Sequence, residues 1–133
     1  MAATNYSKNK QLDFLYGGVS YSPPSNYYLA MSTTTVSVSG SNVTEPLGAN
    51  YARVLIPNTK SFFSNSVSGC LVNVSTITFP QSSGSWGTIV DLVLFDALTS
   101  GCAWAFTTLP TPKVVQDLTV NSFSASAINF GLA

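Results

Sequence analysis

The sequence has no histidine and little charge. Lys8, Lys10, Arg53, Lys60 and Lys113 balance Asp13, Glu45, Asp91, Asp96 and Asp117, so the formal net charge is zero and charged residues make up 8% of the chain. An average soluble domain carries roughly 25%. Without histidine there is no Ser-His-Asp or Cys-His arrangement, and the most frequent general base is missing. Five scattered basic residues give no footprint for nucleic acid, which needs clustered Lys or Arg to displace counterions from phosphates. Cys70 and Cys102 cannot supply a structural zinc site, which takes four Cys or His ligands. No cofactor is expected.

Long apolar runs are also missing. The most apolar stretch, residues 89–95, is interrupted by Asp91, whereas a spanning helix needs about 20 apolar residues. The polar N-terminal residues carry no signal-peptide core. Synthesis in a cytoplasm is therefore expected, with Cys70 and Cys102 as free thiols rather than a bridge.

In place of charge stand twenty Ser, fourteen Thr and ten Asn. These satisfy hydrogen bonds but give little repulsion between copies, so a neutral surface of this kind favours association. Composition points to a protein that sits against other proteins in an assembly; the alternative is a secreted β-domain with a polar surface. Sixteen aromatic residues and 45% hydrophobic content argue against disorder, and the length fits one domain over 1–133.

Along the chain, Asn5 can cap a helix over residues 5–16, with Leu12, Leu15 and Tyr16 at three-to-four spacing and Gly17-Gly18 closing it. Three turns are too short to be stable alone, so Leu12, Phe14, Leu15 and Tyr16 are expected to pack this helix onto the body. Pro23-Pro24 then turns the chain into a period-two segment, residues 26–32. Further strands are expected at 51–56, 71–79, 89–96, 102–107, 114–115, 118–120 and near 128–132. Val36 and Val38 suggest a short edge strand, and Pro110 and Pro112 bound a loop. Residues 89–96 are apolar on both parities, the mark of a strand covered on both faces. The expected fold class is all-β, an antiparallel β-sandwich (jelly-roll-like) with a short N-terminal helix.

Chemistry is sparse. Two carboxyl groups could flank a glycosidic bond, but Asp91 and Asp96 are an odd number of residues apart on one strand and point to opposite faces. Asp96 suits a turn cap, while Asp91 inside an apolar strand needs a partner, solvent or a neighbouring subunit. Arg53 sits in an apolar strand, and its fork suits a carboxylate, so a structural ion pair with Glu45 is expected. Tyr27, Tyr28, Trp86 and Trp104 are candidates either for stacking on sugar rings or for core packing. Three Asn-X-Ser/Thr triplets occur at the frequency that composition alone gives, and no phosphate-binding glycine loop is present.

Four strings occur in order: NKQLDFLYGGVSYSPPSNYYLAMSTTT, TEPLGANYARVLI, ITFPQSSGSWGTIVDLVLFDALTSG and LPTPKVV. Together they resemble a family of small tail-fibre-like structural proteins of tailed bacteriophages, over about Asn5 to Val120. Cys102-Ala103-Trp104 and residues 57–70 depart from that pattern. The resemblance implies a virion structural role with no catalytic residues, and partners among capsid or tail proteins and copies of itself. Docking as an oligomer on the particle exterior is expected, as a capsid decoration or cement protein or as a small fibre component. The competing class is a host-glycan-binding module using Tyr27, Tyr28 or Trp86.

Overall fold

A computed structural model describes residues 1–132. Its elements run β1 (Ala2–Ala3), α1 (Asn5–Gly17), β2 (Asn26–Ser32), β3 (Val54–Pro57), β4 (Cys70–Val72), β5 (Ile77–Thr78), β6 (Gly87–Phe95), β7 (Ala103–Val115), β8 (Ser122–Phe123) and β9 (Asn129–Gly131). β1, β7, β6, β2 and β3 form one sheet in that order, with β6 at its centre. All pairings are antiparallel. The rest of the strands form two ladders, β4–β9 and β5–β8. These pairs nest: β6–β7 lies within β5–β8, which lies within β4–β9. A long antiparallel ribbon folded over on itself gives this jelly-roll pattern, and the architecture is an all-β sandwich whose second layer is fragmentary.

The alternation of β2 sorts its side chains between two cores. Leu29 and Met31 join Ile56, Phe79, Trp86, Leu92, Leu94 and Val115 in the main core, under the small ladders. Ala30 joins Val36, Val93, Phe95 and Ala103 on the opposite face. Both faces of β6 are thus covered, as its apolar residues on both parities require.

Several elements differ from the sequence expectation, each for a local reason. The expected strand 71–79 divides into β4 and β5 because Asn73, fully buried, takes up the backbone bonds itself. Its Nδ2 donates to the carbonyls of Ser75 and Ser124, and its Oδ1 accepts from the Ile128 N–H at 3.0 Å. Asn competes with regular ladders in this way. Pro110 and Pro112 do not end a strand. β7 runs through them, and Leu109–Pro112 is accommodated at a register shift between the pairs Asp91↔Thr108 and Ile89↔Lys113. A bulge is where a strand tolerates proline.

No strand forms at 118–120, where Leu118 has φ 57° and Ser82 Oγ donates to the Thr119 carbonyl and accepts from its N–H. Val36 and Val38 form no edge strand either. Their loop is closed by its own hydroxyls, among them Thr34 Oγ1 donating to the Asn42 carbonyl at 2.6 Å.

The helix cap is Thr4, not Asn5. Thr4 Oγ1 accepts from the Ser7 N–H and donates to the Ala103 carbonyl at 2.6 Å. It therefore ties the start of α1 to the start of β7. Gly18, at φ 66°, closes the other end. The helix does not pack through the residues that its pattern suggested. Leu12, Phe14, Leu15 and Tyr16 are all exposed, and Ser7 is its only buried residue.

The turn between β6 and β7 depends on Gly101, at φ 77°, where an added Cβ would stand 2.5 Å from Asp96 Oδ1 and 2.8 Å from Ala97 Cβ. Gly101→Ala is expected to cost about 1–2 kcal/mol through backbone strain and crowding, visible as a fall of several degrees in Tm. An unchanged Tm would refute it.

Candidate functional site

Beneath α1 the sheet, the loop after β3 and β9 enclose a groove of about 300 Å³. Its floor is apolar, from Leu94, Ala105 and Leu71, and its walls are aromatic, from Tyr27, Phe63, Trp104 and Phe130. The rings meet edge to face: Tyr27 with Trp104 at 6.0 Å between centroids, Tyr27 with Phe63 at 6.5 Å, and Phe63 with Phe130 at 5.2 Å. Edge-to-face contact sets the positive rim of one ring against the negative face of the next. These rings come from β2, the loop after β3, β7 and β9, and no short sequence window contains them all.

The groove rim is polar and nearly uncharged: Ser7, Gln11, Asn58, Thr59 and Lys60. Its donors are tied back to the chain, Gln11 Nε2 to Ser7 Oγ at 2.9 Å, Asn58 Nδ2 to the Pro24 carbonyl at 2.8 Å, and Lys60 Nζ to the Ser64 carbonyl at 2.8 Å. The amide oxygens of Gln11 and Asn58 take no hydrogen bond among the described residues. Burial raises the Tyr27 hydroxyl to about 12, with smaller contributions from Tyr21 and Asp96, so it is a neutral donor at any physiological pH. Among the described residues no carboxylate lines the groove, and such a site can hold a flat or apolar uncharged group.

The four aromatic candidates from the sequence separate. Tyr27 and Trp104 meet in the groove. Trp104 is nevertheless buried, and its indole N–H donates to Asp96 Oδ2 at 3.1 Å. Trp86 is 3% exposed. It donates to the Ala49 carbonyl at 2.8 Å and takes the edge contact of Tyr51, so it is a core residue with no free face. Tyr28 lies half-buried on the opposite side of the sheet from Tyr27. Sequence inspection missed Phe63, Phe130 and Gln11. Phe63 falls within the irregular stretch 57–70, where no periodicity marks a buried face.

Arg53 and Glu45 form a two-pronged ion pair, Nε to Oε1 at 2.9 Å and Nη2 to Oε2 at 2.8 Å. Arg53 Nη1 also donates to the carbonyls of Ala97 and Ser100, and the guanidinium stacks on Phe95 at 3.8 Å. Tyr51 completes the cluster, donating to Glu45 Oε1 at 2.7 Å and accepting from the Met31 N–H. Burial pushes the Glu45 carboxyl up, but the bonds from Arg53 and Tyr51 and the guanidinium charge outweigh it and hold the pKa below the ordinary value. Burial, aided by the bond to Glu45, raises the Tyr51 hydroxyl well above its usual value. All three nitrogens of Arg53 are engaged, so the cluster locks a turn.

The two aspartates stand apart. Asp96 Oδ1 accepts from the Cys102 N–H at 2.8 Å, capping the turn. Asp91 is fully buried; Oδ2 accepts from the Val36 N–H at 2.7 Å, while Oδ1 has no partner among the described residues. Cys70 and Cys102 are both free. Among the described residues no three His, Cys, Asp or Glu side chains gather as a metal site, and no helix is long and apolar enough to cross a membrane.

No curated protein matches the chain. A family model described as Podophage GP4 fiber I protein gp80 matches residues 2–131. That span includes α1, every sheet strand and all the groove residues except Leu132. The chain belongs to this family of phage fibre proteins.

Proposed function

We propose that the protein is a non-catalytic structural component of a podophage fibre, folded as one domain, carried in the virion and docked there as an oligomer on other virion proteins. The observation that carries this reading is the family match across residues 2–131. The surface supports it: zero net charge and a set of exposed apolar side chains on α1 suit contact with other proteins. The family description favours a fibre position over capsid cement. Copy number tests this, by gel densitometry of purified particles. A fibre component is expected at a few to some tens of copies, on the order set by appendages of closed symmetry; hundreds of copies would make it a decoration protein.

The groove favours a second reading, a host-glycan site in which Tyr27 offers a ring and the amide oxygens of Gln11 and Asn58 accept hydroxyl protons. Aromatic walls with a polar rim, whose one charged side chain, Lys60, is tied to the Ser64 carbonyl, suit an uncharged sugar. Under this reading Tyr27→Ala and Gln11→Ala weaken attachment of the purified protein to host cells. Unchanged attachment, or none by the unaltered protein, rejects it.

A further inference from the structure

The groove beneath α1 is divided in polarity. Its floor comes from Leu71 of β4, Leu94 of β6 and Ala105 of β7, whose side chains carry no hydrogen-bonding group. The indole N–H of Trp104, on the wall, is already spent on Asp96 Oδ2 at 3.1 Å. What stays free among the described residues suits hydroxyl groups: the amide oxygens of Gln11 and Asn58 accept at the rim, and the Tyr27 hydroxyl, without a partner of its own, donates.

We propose that the groove takes a deoxyhexose of a host surface glycan, a sugar with a methyl group in place of the terminal hydroxymethyl. Its ring hydroxyls meet Gln11, Asn58 and Tyr27, and its methyl group lies on the Leu71–Leu94–Ala105 floor. The proposal rests on the second reading above and names the sugar class which that reading leaves open.

The sugar classes differ in what they would set on that floor. A hexose brings a hydroxymethyl, an amino sugar an acetamido group, and a uronic acid a carboxylate. Each of these gives up water there for no partner, and a buried polar group without a hydrogen bond costs free energy. A methyl group gains from the same burial. The carboxylate meets a further obstacle, because Lys60, the one charged side chain among the described residues lining the groove, is held by the Ser64 carbonyl at 2.8 Å. The volume of about 300 Å³ stands at the lower end for ligand sites and suits a short saccharide.

The test is an amide NMR titration of the full chain with fucose beside galactose and rhamnose beside mannose, in D and L forms. The members of each pair differ by one hydroxyl. In at least one pair the deoxy sugar is expected to shift the signals of Gln11, Asn58 and Leu71, and to bind about ten- to a hundredfold more tightly than its parent, the range over which an apolar pocket rejects an added hydroxyl. Gln11→Ala removes a contact common to both members, so it should weaken both and keep their ratio. Leu71→Asn gives the extra hydroxyl a partner and should bring the ratio towards one, with thermal unfolding to confirm that the variant folds. A parent hexose that binds as tightly as its deoxy partner, or a ratio that a folded Leu71→Asn leaves unchanged, overturns the deoxyhexose assignment and leaves the sugar site standing. No groove shift with any of the sugars overturns both. Should Leu71→Asn fail to fold, the ratio within each pair and its persistence in Gln11→Ala still decide.

Discussion

Trp86→Ala is expected to destabilise the protein by about 3–5 kcal/mol, the range for removing a buried Trp or Phe. The indole is the junction of three parts of the chain. It packs edge-on with Tyr51 at 5.3 Å, reaches Phe79 at 6.5 Å, and donates to the Ala49 carbonyl. The Trp86 backbone N–H bonds to the Val115 carbonyl at 3.0 Å, at the end of β7. The substitution leaves a cavity and removes one of two hydrogen bonds to the Ala49 carbonyl, which still accepts from the Ser83 N–H at 3.0 Å. Trp86→Phe separates the two costs: most of the volume remains, and the loss should be nearer the ~1 kcal/mol of one net hydrogen bond. Urea unfolding followed by circular dichroism measures both. A loss under 1 kcal/mol for Trp86→Ala would mean that the indole is a surface group after all.

Arg53→Ala should cost about 3 kcal/mol, the lower end of the range for breaking a buried pair from one side. The Arg53 side chain is 6% exposed and that of Glu45 25%. Solvent can therefore reach part of the abandoned carboxylate. The loss also frees the Ala97 and Ser100 carbonyls and uncovers Phe95. Arg53→Lys keeps the charge but loses the fork and the ring stack, so it should fall between the two.

The same pair predicts a pH dependence. The Glu45 carboxyl has a folded pKa below its ordinary value. The stability it contributes is fully present above the unfolded pKa and is lost as pH falls through the folded one. Unfolding free energy should therefore drop progressively below about pH 4.5, and Glu45→Gln should remove that part of the acid sensitivity. An identical acid limb in the variant would show that other carboxylates carry it.

How far the sequence could be read follows from where each interaction sits along the chain. The alternation of residues 26–32 and the doubly apolar run 89–95 marked two strands of the main sheet, because side-chain parity is a local property. The pairing of Arg53 with Glu45 was also within reach, since eight residues and one turn separate them. Asn73 was not legible. Its effect on the ladder arises from contacts with Ser124 and Ile128, more than fifty positions away. Likewise Pro110 and Pro112 looked like strand ends until a bulge against β6 absorbed them.

The helix gives the sharpest division. Its extent, its glycine stop and the Leu12–Leu15–Tyr16 stripe follow from local spacing and backbone preference. Which side meets the body does not, because hydrophobic periodicity marks a face to be covered without saying by what. Thr4 fixes the answer by bonding to the Ala103 carbonyl at the start of β7, which rolls the helix onto Ser7 and Tyr6 and turns the stripe outward. The absence of histidine excludes from composition alone a Ser-His-Asp or Cys-His arrangement. The aromatic groove and the outward stripe exist only once residues 7, 27, 63, 104 and 130 are brought together, because a surface is made by contacts between distant segments and not by the segments themselves.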